Sequence, residues 1–153
     1  MAGTRILALD PGTKRIGVAL SDELGWTAQP LETYERRSAE ADMKYIQQLV
    51  REHDVREVVV GLPIRMDGQV GPSAEWAQQF MNALAKTLTI PIVAWDERLT
   101  TKAAERVLLE ADVSRRKRRG AVNRVAAAIM LQNYLEHQAS GERKTESQQE
   151  TAQ

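Results

Sequence analysis

Cysteine is absent from the chain. That excludes disulfide staples, thiolate zinc sites and a cysteine nucleophile, and it fits a reducing, cytoplasmic setting. Net charge is absent too: Lys and Arg number 21, and so do Asp and Glu. No global basic field exists, so any contact with nucleic acid must come from a local patch. Histidine is nearly absent. His53 and His137 both lie in polar, helical stretches, and neither is taken as a ligand. No apolar run approaches the roughly 20 residues of a membrane span, and no internal repeat is found. Residues Met1 to Arg5 run directly into a strand pattern, so no signal peptide is expected. What remains is a 153-residue chain, long enough for one domain with a real core.

Arg5 to Leu9 reads as a buried strand and Ile16 to Ser21 as a second, joined by a turn at Pro11 and Gly12. Thr27 to Tyr34 is a weaker third strand. Ser38 is placed to cap a helix from Ala39 to Glu52, with Met43, Ile46, Leu49 and Val50 at helical spacing. The β-branched run Glu57 to Val60 is a strand ended by Gly61-Leu62-Pro63, and Ile64 to Pro72 is a loop. Ser73 caps a helix to Leu88, with Trp76, Phe80, Ala83, Leu84 and Leu88 on one side. Pro91 to Ala94 is another strand, followed by Trp95-Asp96-Glu97-Arg98. A helix capped by Thr100 or Thr101 runs to Ala111. The last helix spans Ala121 to Glu136, with an apolar stripe of Val122, Val125, Ala126, Ile129 and Met130. Residues 1–137 form the domain, and 138–153, with almost nothing to bury, form a disordered tail.

An initial antiparallel hairpin followed by alternating helices and strands implies an α/β fold. Its sheet is mixed, with helices on both faces. The later strands run parallel to the first because helical crossovers join them. Their carboxyl ends share one edge, where open α/β sheets bind ligands. Asp10, Gly61 and Glu97 fall just past such strand ends. Carboxylates on neighbouring strand ends can hold Mg²⁺, which uses one or two of them together with waters and substrate phosphate. The plainer reading is that Asp10 starts an Asx turn and Glu97 pairs with Arg98; spacing alone leaves both open.

The motifs Asp10-Pro11-Gly12-Thr13-Lys14-Arg15-Ile16-Gly17-Val18-Ala19, Val60-Gly61-Leu62-Pro63 and Asp96-Glu97-Arg98-Leu99-Thr100-Thr101 stand in this order. The basic run Ser114-Arg115-Arg116-Lys117-Arg118-Arg119 and the segment Ala126-Ala127-Ala128-Ile129-Met130-Leu131-Gln132 follow. Together, over roughly residues 4 to 136, they resemble the YqgF/RuvX family, a branch of the ribonuclease H-like nucleases related to the RuvC resolvases. The resemblance implies a ribonuclease H-like fold, hydrolysis of phosphodiesters with Mg²⁺ or Mn²⁺, and cytoplasmic work on structured nucleic acid. Members are described as Holliday junction resolvases and as nucleases that trim the 5′ end of the pre-16S ribosomal RNA precursor. It implies a metal set of Asp10, Glu97 and a third acid at the start of the last helix. Here that third position is Asn123, whose amide oxygen can ligate a metal but brings no charge. Weakened or more Mn²⁺-dependent activity is expected, or binding without cleavage.

Lys14 and Arg15 can touch a phosphate or remain exposed turn charges. Gly61 either lets a substrate backbone approach or merely terminates its strand. Arg98 orients Glu97 or forms a surface pair of little worth. Arg115, Arg116, Lys117, Arg118 and Arg119, with Arg124 after them, are the only dense basic cluster. Their mutual repulsion favours nucleic-acid binding over a merely solvated run. Trp26 and Trp95 are candidates for base stacking, but both are expected to be buried. An Asp-x-Gly-Thr turn also occurs in actin-like ATPases and sugar kinases, which need two such domains. The sequence leaves open whether a monomer or a homodimer acts, and whether the substrate is RNA or DNA.

Overall fold

The computed structural model describes residues 3–12, 14–62, 72–96 and 124–139. Five strands form one sheet in the order β3-β2-β1-β4-β5. They are β1 (Arg5–Pro11), β2 (Arg15–Ser21), β3 (Ala28–Glu35), β4 (Val55–Leu62) and β5 (Ile92–Asp96). Helices α1 (Ala39–Glu52) and α2 (Pro72–Thr87) supply the crossovers, and residues 124–139 form a further helix, α3. β1 pairs antiparallel with β2 and parallel with β4, and β4 pairs parallel with β5. The expected mixed sheet is therefore the observed one, with β1 at its centre.

Strand alternation sorts the core onto two faces. Leu7, Leu9, Ile16, Val18, Val58 and Val60 pack with Met43, Ile46 and Leu49 of α1 and Phe80 and Leu84 of α2. The intervening Ile6, Ala8, Ala19 and Val59 pack with Ala127, Met130, Leu131 and Tyr134 of α3. Helices thus cover both faces. The β1 ladder is completed at its start by a side chain: buried Ser21 accepts from Ile6 N–H through Oγ at 2.8 Å and donates to the Asp22 carbonyl at 3.0 Å. Ser38 caps α1 as expected, accepting from Ala41 N–H at 3.1 Å.

Several local expectations are corrected. β4 does not stop before Gly61: it continues to Leu62, because β5 pairs Trp95 with Gly61 and Asp96 with Leu62. Tertiary pairing overrides the Gly-Leu-Pro break. Asp10 and Gly61 accordingly lie inside their strands rather than past them. Ser73 does not cap α2, whose first residue is Pro72, a residue suited to that position because its φ is preset and its missing N–H would have no helical partner. Ala126 and Met130 of the expected α3 stripe are buried, together with Ala127, Ala128, Leu131, Tyr134 and Leu135, while Val125 and Ile129 are only partly covered. The helix continues past Glu136 to residue 139, and Gln138 donates to the Tyr134 hydroxyl at 2.7 Å. The expected loop at 64–71, the helix from Thr100 or Thr101, Val122 of the expected stripe and the rest of the tail lie outside the described residues.

Candidate active site

Asp10 sits near the carboxyl end of the central strand, where β1 and β2 pair it with Gly17. On its other side the parallel register runs Ala8↔Val59, Leu9↔Val60, so Gly61 is the next residue alongside it. Gly17 pairs in turn with Thr33, and Gly61 with Trp95. One row across the sheet is therefore Thr33, Gly17, Asp10, Gly61, Trp95. By alternation, this row belongs to the face packed by α3, since Ile6, Ala8, Ala19, Val59 and Trp95 all join that core. Cross-strand neighbours normally bring Cβ atoms to within about 5 Å of each other. Here the carboxylate has a residue without a side chain on each side. Among the described residues that leaves a notch in the sheet face, in which the half-buried Asp10 is the acidic group.

The turn after Asp10 is held from the far face. Gly12 N–H donates to the Arg15 carbonyl at 2.7 Å, and Arg36 N–H donates to the Lys14 carbonyl at 2.8 Å. The Arg36 guanidinium donates to the Gly12 carbonyl at 3.1 Å and to Asp42 at 3.0 Å, while Arg37 N–H donates to the other Asp42 oxygen at 3.0 Å. Arg36 also lies 4.8 Å over the Trp76 ring. Burial pushes the Asp42 carboxyl up, but the Arg37 N–H, the Arg36 guanidinium and the Tyr34 hydroxyl outweigh it and leave it below the ordinary value. Nothing in the local sequence pattern singles out Arg36 or Asp42, and Trp76 reads there only as part of the apolar side of α2. Their meeting depends on the β3–α1 link folding back onto the turn.

Of the residues expected at the site, Lys14 is exposed on this turn and lines a cavity with Arg36 and Arg37. Arg15 stands 4.0 Å from Glu35 in a surface pair. Arg124 is exposed as the first described residue of α3. Glu97, Arg98, Arg115, Arg116, Lys117, Arg118, Arg119 and Asn123 lie outside the described residues. Among the described residues no group of three acidic or histidine side chains is arranged to hold a metal ion. Trp95 is partly buried, meeting Tyr134 edge-on at 5.4 Å and His137 at 5.6 Å. Trp26 departs from expectation. It is 72% exposed, presented on a loop whose Trp26 N–H donates to Asp22 Oδ1 at 2.8 Å and whose carbonyl accepts from Gln132 at 3.1 Å.

A mixed sheet of this order, with a carboxylate on its central strand, defines the class: ribonuclease H-like α/β proteins. The Fowlpox virus resolvase, solved with substrate Holliday junction DNA, has the same fold. It matches at a TM-score of 0.53 and 12% identity, over 87% of this chain and 97% of that one.

The chain belongs to the RuvX family, described as Holliday junction resolvase, whose family model matches residues 4–137. A relative from Halalkalibacterium halodurans is 53% identical over 136 residues, covering 88% of this chain and 97% of that protein. One from Bacillus subtilis is 48% identical over 134 residues, covering 86% and 97%. Both carry the name "Putative pre-16S rRNA nuclease". Family and relatives together make the chain a nuclease, a hydrolase of phosphodiester bonds. No helix among the described residues is long and apolar enough to cross a membrane.

Proposed function

We propose that the chain is a divalent-metal-dependent nuclease of structured nucleic acid that trims the 5′ end of the pre-16S rRNA precursor in the cytoplasm. The observation that carries this reading is the Asp10 carboxylate, set on the central strand between Gly17 and Gly61. Hard cations take oxygen donors, and Mg²⁺ tolerates few carboxylates because it keeps waters and binds substrate phosphate. A half-buried carboxylate in an uncrowded notch suits that donor set. Asp10, Glu97 and Asn123 would hold Mg²⁺ or Mn²⁺. The sequence periods support the grouping. Glu97 stands two residues after Trp95, and Asn123 stands four before Ala127. A strand continued by one residue and a helix begun one residue earlier would present both to the face of Asp10.

When bound, the metal activates a water and stabilises the leaving oxygen of the phosphodiester. The chain's own groups do the rest. β1 fixes the carboxylate through ladders on both sides, and the glycines admit the phosphodiester backbone. Lys14, Arg15, Arg98, Arg115, Arg116, Lys117, Arg118, Arg119 and Arg124 would neutralise its phosphates. Asn123 removes one negative charge from the set, so metal is held less tightly than by three acids. Residues 1–137 would form the nuclease domain. The family description favours a second reading, a resolvase of branched DNA working as a homodimer.

Labelled precursor rRNA with a 5′ extension and a labelled four-way DNA junction, each incubated with Mg²⁺ or Mn²⁺, test both readings. Wild type should shorten the RNA, and Asp10→Ala should not. Preferential cutting of the junction would transfer the assignment to the resolvase. The same product from Asp10→Ala would overturn the site. Binding of both substrates with neither cut would leave a binding protein.

A further inference from the structure

A cavity of about 310 Å³ opens beside the turn that follows Asp10, lined by Lys14, Arg36, Arg37, Ser38, Asp42 and Trp76. Three of these side chains are cations and only one is an acid. Arg36 is already committed to Asp42, to the Gly12 carbonyl and to the Trp76 ring. It forms the wall. Lys14 and Arg37 are exposed and have no ion-pair partner among the described residues. Unneutralised cations facing one cavity repel one another, and an anion relieves that repulsion. The polar lining suits a charged group rather than an apolar one. The volume matches the lower end of small-ligand pockets, about 300 Å³, which is ample for a phosphate with its sugar.

We propose that this cavity is a second phosphate subsite, in which Lys14 and Arg37 grip a non-scissile backbone phosphate of the nucleic-acid substrate. The proposal rests on the nuclease reading for its substrate. Lys14 is four residues beyond Asp10, so their Cα atoms lie within about 14 Å by chain length alone. One nucleic-acid strand rises about 3.4 Å per nucleotide, so with the reach of both side chains added the gripped phosphate lies within several nucleotides of the cut. Arg36 is a positioning residue here. It ties the Lys14 turn to α1, so the turn that carries Asp10 on one side carries the phosphate contact on the other.

The test is the salt dependence of binding to an RNA hairpin with a single-stranded 5′ extension, with divalent metal chelated so that cleavage does not enter. Lys14→Gln and Arg37→Gln alter exposed side chains, and unchanged urea midpoints would establish that both variants fold. Each should lower the slope of log affinity against log salt by about 0.7–0.9, and the pair by about 1.5. With metal present, KM should rise while kcat holds. Unchanged slopes in both variants would overturn the proposal. So would saturable binding of inorganic phosphate that the double variant loses while its RNA slope stays intact; the cavity would then belong to a free anion. Asp10→Ala separates this proposal from the nuclease reading. If wild type shows the cavity-dependent slope but cuts no better than Asp10→Ala, the subsite stands and the nuclease reading fails.

Discussion

Arg36 and Asp42 face each other across the start of α1, Nε to Oδ2 at 3.0 Å, with the Asp42 side chain only 1% exposed. The pair does more than neutralise itself. The Arg37 N–H completes the carboxylate's hydrogen bonds, and the rest of the guanidinium reaches the Gly12 carbonyl. An ion pair six residues apart thereby fastens the loop that follows Asp10.

Arg36→Met should be strongly destabilising. Removing one partner leaves a buried carboxylate uncompensated, at a cost of about 3 kcal/mol. Urea unfolding should show a lower midpoint at pH 7, and cleavage should fall as the Gly12–Lys14 turn loosens. A midpoint equal to wild type would show that Asp42 finds its charge balance elsewhere.

The same pair sets an acid limit. The Asp42 carboxyl lies below its ordinary value in the folded protein, so the unfolded chain binds a proton at a pH where the folded one does not. Its stabilisation is complete above the unfolded carboxylate value of about 3.9. It is lost as pH falls through the lower folded value. The stability difference between wild type and Asp42→Asn should therefore be constant from pH 7 to about 5 and shrink below about pH 4. A difference that stays constant to pH 2.5 would contradict the assignment.

Gly61→Ala separates stability from function. Gly in a strand interior costs about 0.5–1 kcal/mol relative to Ala, so this variant should unfold at the same or slightly higher urea concentration. Its added methyl stands beside Asp10 and should reduce cleavage by at least about tenfold, the low end for disturbing the surroundings of the proposed metal ligand. Full activity would mean that the row beside Asp10 is not the substrate path.

Asn123→Asp gives the proposed metal set a third acid. Mg²⁺ should then saturate activity at lower concentration, and the preference for Mn²⁺ should narrow. Metal titrations of turnover, wild type against variant, read this directly. Identical curves would remove position 123 from the metal set.

Much of the architecture was legible because it rests on local periodicity. Val58-Val59-Val60 could only be a buried strand. Ser38 followed by Met43, Ile46 and Leu49 announced α1 together with its cap. The Asp10 turn between two apolar runs announced the hairpin. Legibility failed where distant pairing decided the outcome. Gly61 looked like a terminator until β5 was laid against it. Trp26 was expected inside, yet Asp22 and Gln132 pin its backbone in a loop that turns the indole outward. Trp76 read only as part of an apolar helix side; its meeting with Arg36 and Asp42 carried no signal, since two charges and a distant indole form no pattern until the β3–α1 link closes over the Asp10 turn. Position 123, which lies outside the described residues, entered only by resemblance, because a single asparagine before an alanine-rich helix has no signature of its own.

The outer strand β3 has a consequence for assembly. Gln29 to Glu32 are exposed along it, Pro30 offers no amide hydrogen, and Glu32 and Glu35 add negative charge. These are the devices that blunt a sheet margin against recruiting another chain. Sheet extension between copies is therefore disfavoured on that flank, and a symmetric pair able to nick both strands of a branched duplex must meet through some other surface.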